Sequence, residues 1–289
     1  MRIAIIDGMN FLRRSRSGFA LGDRPVVFNF FRNLRSLIEE LKPNHVVFAL
    51  EGRSARKDEF REYKANRALD IDQTDPESLK RFEEEKKFFK QVDECVDLMR
   101  RAMPIQVCRH PRFEADDVIY TLARRFTLEK STEAVIVSND TDFIQILTEG
   151  SWASERTKIW NPFEKSWIKC PDYDYLTFKA LKGDGADNIP GIPGVGEVTA
   201  EKLAKSKIEL ANLLSERKTS EVFERNVSLI KLREINGSDL GDLEVSQCQP
   251  DWVEVVGAFK NWQFNSFFKP TKSGKTQWDK FRETFSVLS

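Results

Sequence analysis

Four short apolar runs, each delivering acidic residues at or just past its carboxyl end, most narrowly constrain what this chain can fold into. RIAII (2–6) runs into Asp7, and HVVFAL (45–50) into Glu51. IQVC (105–108) is followed by Glu114, Asp116 and Asp117, and EAVIVS (133–138) by Asp140 and Asp142. Such runs, apolar without alternation, are the mark of strands buried on both faces. The segments between them carry helical periodicity: 25–41, with Pro25 near its start, 76–103 and 113–126. Strands alternating with helices predict an α/β fold with a mainly parallel sheet and helices on both faces. In such sheets ligands bind beyond the carboxyl ends of the strands, where these acids fall.

Further along, 157–169 reads as a hairpin around Asn161–Pro162. After about residue 172 the strands stop and helices dominate, at 172–183, 198–205 and 220–235. This places a boundary near 171, with an α/β domain over 1–171 and a helical domain over 172–289. The tail 269–281 is basic and expected to be loosely held. The aromatics of 261–268 are expected to pack into the helical domain, with a partner-binding element as the alternative.

Composition excludes little and steers much. The 46 basic residues balance 46 acidic ones, which argues against a uniformly basic nucleic-acid-binding surface but allows a charge-segregated one. Cys95, Cys108, Cys170 and Cys248 lie far apart and suit reduced thiols in a cytosol. His45 and His110 stand alone and are given no role. No apolar run reaches membrane-spanning length and the first residues read as a strand, so a cytoplasmic monomer is expected.

Taken singly, each acidic element has an ordinary explanation. Asp140 and Asp142 could cap a helix, EADD (114–117) could complement a helix dipole, and an Asp after a strand is commonly a turn residue. Their conjunction, joined by Asp184 and Asp187 in KGDGADN, is what matters. Two unit charges about 4 Å apart repel by roughly 4 kcal/mol at an effective dielectric near 20. Converging carboxylates must therefore protonate or bind cations, and an all-oxygen set selects Mg²⁺ or Mn²⁺. Paired ions of this kind serve in-line attack on phosphodiesters. Residues 51–80, polar and poorly periodic, read as a mobile surface segment, with Arg53, Arg56, Lys57, Arg61, Lys64 and Arg67 in its first half. These six bases leave from the rim of the acids, where an approaching polyanion needs cationic help.

The motifs IIDGMN (5–10), FREYKANR (60–67), EADD (114–117), SNDTDF (138–143) and KGDGADNIPGIPGVG (182–196) together resemble the 5′-nuclease superfamily. That superfamily holds flap endonucleases, phage 5′→3′ exonucleases and the 5′-nuclease domain of bacterial DNA polymerase I. The likeness is nearest to the phage enzymes, including the phage replication RNase H of this fold, and covers nearly the whole chain. It implies a Rossmann-like (PIN-like) sheet, a helical arch at about 52–103 and a helix–hairpin–helix at about 175–206.

The resemblance further implies metal ligation by Asp7, Glu51, Glu114, Asp116, Asp117, Asp140, Asp142, Asp184 and Asp187. Glu51 stands where the family usually has Asp, and the loop after it is a few residues short. Lys64 and Arg67 would contact the scissile phosphate; Tyr63 would stack on a terminal base or pack. Arg13 and Arg14 would touch the 5′ strand or lie exposed. Gly191, Gly194 and Gly196 would bring backbone N–H groups to duplex phosphates, with Lys202 and Lys205 following the strand or simply solvated and K⁺ in the hairpin. Two or more Mg²⁺ ions would activate water and stabilise the leaving oxygen. DNA with a free 5′ end, RNA–DNA hybrid and replication proteins are the implied partners, and a phage source is implied as well. The rival readings are a PIN-type ribonuclease, a haloacid-type phosphatase, a non-catalytic DNA-binding relative and a nucleotide-binding domain. The last lacks G-x-G-x-x-G after the first strand.

Overall fold

The computed structural model describes residues 1–16, 22–67, 74–270 and 274–288. In chain order, β1 (Arg2–Asp7) leads into α1 (Gly8–Arg14) and α2 (Pro25–Leu41), and β2 (His45–Leu50) into α3 (Arg56–Glu59) and the long α4 (Pro76–Ala102). Next come β3 (Gln106–Arg109), α5 (Ala115–Phe126), β4 (Glu133–Val137), α6 (Ile144–Leu147), α7 (Ser151–Arg156) and the hairpin of β5 (Thr157–Asn161) and β6 (Ser166–Trp167). A helical stretch follows: α8 (Tyr175–Lys182), the two-residue strands β7 (Gly183–Asp184) and β8 (Ile189–Pro190), α9 (Glu197–Lys205), α10 (Lys207–Leu213), α11 (Arg217–Ile230) and α12 (Gly237–Gly241). The chain ends in β9 (Glu244–Ser246), α13 (Trp252–Asn261), α14 (Asn265–Phe268) and α15 (Gln277–Phe285).

The main sheet runs β6-β5-β4-β1-β2-β3-β9. β5, β4, β1, β2 and β3 are mutually parallel, and the edge strands β6 and β9 are antiparallel. Alternation divides each central strand between two cores. Ala4, Ile6, Val46, Phe48, Val135 and Val137 face a phenylalanine-rich layer built from α2, α4 and α13–α15. Ile3, Ile5, Val47, Ala49, Ala134 and Ile136 face α5 and α6. Strands wedged between two apolar layers must be continuously apolar, as they are in the sequence.

The long helix α4 begins sharply. Asp75 accepts hydrogen bonds from the amides of Glu77 and Ser78, and Pro76 occupies the first turn, where its missing N–H is harmless. Its C-terminal half is core, through Phe88, Val92, Cys95, Leu98 and Met99. Its N-terminal half carries the exposed Leu79 and Phe82 and leans on α1, where Glu85 pairs with Arg13 and Arg16. The expected arch includes 68–73, which lie outside the described residues.

Four expectations are corrected. Strands do not stop after residue 172: β9 returns to pair with β3. Nor do the C-terminal helices stand with the helical stretch: Val255, Phe259, Phe281 and Phe285 bury themselves beside Phe31 of α2. The aromatics of 261–268 join that α/β-side layer, with Phe264 and Phe267 buried. The tail holds a capped helix, α15, in which Thr276 and Asp279 bond reciprocally and Phe281 is fully buried. Burying each such phenylalanine is worth about 1.5–3 kcal/mol, enough to fix a nine-residue helix to the sheet. Residues 271–273 of the tail lie outside the described residues.

Candidate active site

The acids meet where the strand order reverses, beside β1. The register places Ile6 opposite Val137, so Ser138 stands level with Asp7. Ser138 Oγ donates to Asp7 Oδ2 at 2.8 Å and accepts the Asp140 amide at 3.0 Å. Asp7 Oδ1 caps α1 through the Asn10 amide, and Asp140 Oδ1 caps the turn at 141–143 through the Asp142 amide. Glu51, from the end of β2, reaches across to accept the Ala115 amide that opens α5. Each of these three spends one oxygen on a cap and turns toward a shared space. Asp7, Glu51, Asp116 and Asp140 line one cavity of about 410 Å³ together with Asn10, Arg13, Lys64, Arg67, Phe89 and Asp187.

The segment expected to be mobile surface is instead built into the site. Arg56, Tyr63 and Lys64 are buried. Arg56 clasps Asp117 with two bonds of 2.6 and 2.7 Å and gives a third, of 2.9 Å, to Glu114. Lys64 donates to Glu114 at 2.6 Å, and the Tyr63 hydroxyl donates to Glu114 and Asp187. The two motif segments interlock through backbone. The Lys64 backbone amide donates to the Asp187 carbonyl, and the side-chain amides Nδ2 of Asn188 and Asn66 donate to the Glu62 and Gly185 carbonyls. Lys64 and Asn188 both adopt left-handed φ, 55° and 58°, to make this crossing. Arg67 closes the rim on Asp187.

Two of the acids expected at the metal site are met by cations of the chain itself. Asp117 carries no free oxygen toward the cavity, because Arg56 holds both oxygens and the Arg233 amide adds a bond at 2.8 Å. These contacts organise the centre around it. Glu114 is likewise saturated by Arg56, Tyr63 and Lys64. Tyr63, 3% exposed, packs and does not offer a face for stacking. Asp142 and Asp184 share the ammonium of Lys179, at 2.8 and 2.6 Å. Oxygens of Asp142, Asp184 and Asp187 all lie within 4.8 Å of one another.

Electrostatics separates these groups. Burial pushes Asp7 up to about 7, with Asp140 and Glu51 adding repulsion. Burial likewise raises Glu51 and, more strongly, Asp116, whose neighbours Asp140, Glu51 and Asp7 repel it. Asp142 rises to about 6 through burial and Asp140, against the pull of Lys179. Burial acts the same way on Glu114, yet Lys64 and Arg56 overcome it and hold that carboxyl below its ordinary range. Lys179 does the same for Asp184. Crowded, desolvated, all-oxygen donors lacking a matched cation suit a hard divalent ion.

The remaining expected DNA contacts fall into three kinds. Arg13 lines the cavity, whereas Arg14 turns away to the Pro162 carbonyl and the Phe163 ring. Gly191 serves packing: a Cβ there would lie 2.1 Å from the Lys182 carbonyl oxygen. Gly194, at φ 80°, and Gly196, which precedes α9, face open space. Lys202 and Lys205 are ion-paired, with Glu209 and with Asp172 and Glu201. Sequence reasoning gave no role to Asn10, Ser138, Lys179, Arg233 or Phe89. Lys179 had a signal, since it sits in α8 between the buried Phe178 and Ala180.

Residues 2–171 match the family described as 5′-3′ exonuclease, N-terminal resolvase-like domain. The chain belongs to this 5′-3′ exonuclease family. It is 32% identical over 205 residues to DNA polymerase I of Chloroflexus aurantiacus, covering 66% of this chain and 20% of that protein. It is 27% identical over 293 residues to a 5′-3′ exonuclease of Aquifex aeolicus, covering 92% of this chain and 93% of that one. The chain thus spans about a fifth to a quarter of the polymerase relatives it matches. In structure it resembles the bacteriophage T5 D15 flap endonuclease, solved with DNA and metal ions, at TM-score 0.63 and 19% identity over 80% of this chain and 89% of that one. It also resembles the T5 5′-exonuclease with bound zinc, at TM-score 0.65 and 17% identity over 80% and 90% of the two chains.

Proposed function

We propose that the protein is a metal-dependent, structure-specific 5′-nuclease that hydrolyses phosphodiesters near a free 5′ end of DNA, leaving a 5′-phosphate and a 3′-hydroxyl. One observation carries this reading: Asp7, Glu51, Asp116 and Asp140 line a single cavity at the strand ends without an ion-pair partner among the described residues, while Arg13, Lys64 and Arg67 line the same cavity. Divalent cations, Mg²⁺ with Mn²⁺ as substitute, supply water activation and charge neutralisation when bound by these four residues and by Asp142, Asp184 and Asp187.

The chain's own groups do the rest. Arg67 and Arg13 draw a phosphate into the acidic cavity. Lys64, held by Glu114 and the left-handed turn, presents a fixed positive charge to the scissile phosphate as negative charge develops. Lys64 and Arg56 keep Glu114 ionised, and Arg56 holds Asp117 in place. Gly194 and Gly196 expose backbone N–H groups at the start of α9 to duplex phosphates, with K⁺ as the companion ion in that hairpin. RNA–DNA hybrid is a second substrate class for the same site, and a monomer in the cytoplasm is the setting.

The test compares 5′-labelled flap, nicked, single-stranded and RNA-primed substrates with Mg²⁺. Short 5′-labelled products, lost with EDTA and in Asp140→Asn, are expected. Full activity of both Asp116→Asn and Asp140→Asn would sink the assignment.

A further inference from the structure

We propose that Lys179 is a resident cation standing in the second half of the metal centre, competing with a divalent ion for Asp142 and Asp184 so that the two halves fill in order. This rests on the reading that the clustered carboxylates hold divalent ions. Lys179 is 9% exposed, in the middle of α8, and its stem is fixed between buried neighbours. Its Nζ lies 2.8 Å from Asp142 Oδ1 and 2.6 Å from Asp184 Oδ2. The Asp142 oxygen is buried and makes no directed hydrogen bond, so the ammonium satisfies its charge but not its lone pairs.

The geometry makes the competition direct. Oxygens of Asp142, Asp184 and Asp187 lie within 4.8 Å of one another, a little wider than the roughly 3 Å (adjacent) to 4.2 Å (opposite) separations of ligands on one octahedral Mg²⁺ at about 2.1 Å. An ammonium seated against two of those oxygens occupies the approach a metal needs. Like charge adds to the steric conflict, because a divalent ion beside Lys179 is repelled by it. No such cation guards the other half: among the described residues no lysine or arginine forms an ion pair with Asp7, Glu51, Asp116 or Asp140. A first ion therefore meets four acids that no lysine or arginine directly pairs with, although Arg13, Lys64 and Arg67 line the same cavity, whereas a second must displace Lys179.

The experiment is a Mn²⁺ titration of the metal-free full chain, with free Mn²⁺ counted by electron paramagnetic resonance. Wild type is expected to bind one ion tightly and a second at least about tenfold more weakly. Lys179→Met should tighten the second by about tenfold or more and leave the first unchanged, and Lys179→Met/Asp184→Asn should lose it. Lys179→Gln, checked with the first variant by circular dichroism, guards against a folding defect. A second affinity that is unchanged or weaker in both folded variants would overturn the inference. Absence of any Mn²⁺ binding to wild type would instead overturn the metal-dependent reading itself.

Discussion

Two groups of carboxylates lie side by side at the ends of the same strands, yet they live in opposite electrostatic conditions. Glu114, Asp117, Asp184 and Asp187 are each met by Arg56, Lys64, Lys179 or Arg67. Asp7, Glu51, Asp116 and Asp140 face the cavity without an ion-pair partner among the described residues, and burial raises the first three. The residue type is the same; what differs is whether the fold supplies the counter-charge. Where it does so on every side, as at Glu114 and Asp117, the acid is structural and locks the loop 53–67 to the sheet; Asp184 and Asp187 hold a counter-charge that a metal would have to replace or share. Where it does not, the acid is an unfinished site, completed by something outside the chain. A centre of this kind needs both, because the open acids keep their positions only if the compensated ones hold the walls.

The largest effect should come from removing a counter-charge. Arg56→Met leaves the buried Asp117 without the cation that holds both its oxygens and takes one of two cations from Glu114, a change that typically costs about 3–5 kcal/mol. Urea denaturation of Arg56→Met, and of Arg56→Met/Asp117→Asn, checks this: the double variant should recover part of the loss. A single-variant loss below about 1 kcal/mol would show that the carboxylates are solvated and that the comparison is drawn in the wrong place.

Next comes an open acid. Asp140→Asn should lower single-turnover cleavage of a 5′-flap substrate by more than about 100-fold, beyond what an outer-shell partner of a metal contributes. That is about 2.7 kcal/mol of barrier. Asp117→Asn in the same assay should act mainly through stability, with activity at saturating Mg²⁺ reduced less than in Asp140→Asn. Equal losses in the two variants would merge the two groups.

Much of this was legible in the sequence, and the parts that were not share a cause. Buried parallel strands announce themselves by unbroken apolar runs, and the acids that end them are positioned by the sheet itself, so Asp7, Glu51 and Asp140 were found from local pattern. Compensation is not local. Arg56 and Asp117 are 61 positions apart, and Asp117 is also held by the Arg233 amide, 116 positions away. Nothing in 53–67 distinguishes an arginine that folds inward from one in solvent. β9 was missed because three residues of EVS, largely exposed at a sheet edge, contain no buried run. The apolar spacing of Phe281 and Phe285 was readable as a helix face, but its partner, α2, lies nearly the whole chain away.

A smaller effect should be pH-dependent. Asp7 titrates at about 7 in the fold against an ordinary 3.8. Between these values the unfolded chain releases the proton while the folded one keeps it. The metal-free protein therefore loses stability as pH rises from about 4 to about 7, and the loss is complete above that. Asp7→Asn removes the titration. In EDTA its stability relative to wild type should climb across this window, by about 2 kcal/mol after relaxation of the site. Urea midpoints at pH 4.5, 6 and 8 measure it, and a flat difference would mean that Asp7 already has a counter-charge.

The smallest effect tests the compensated group at its weakest link. The Tyr63 hydroxyl lies 3.1 Å from Glu114 and 3.3 Å from Asp187, beside much stronger charged donors to both. Tyr63→Phe keeps the buried ring and removes one neutral donor, which should cost about 1 kcal/mol in stability. Since the ring packs among Ile189, Leu229 and Ile230 rather than facing the cavity, affinity for a 5′-flap duplex should not change. A Tyr63→Phe variant of full stability but weakened DNA binding would return Tyr63 to the substrate side. It would also show that loop 60–67 opens when the polyanion arrives, making compensation a property of the free protein alone.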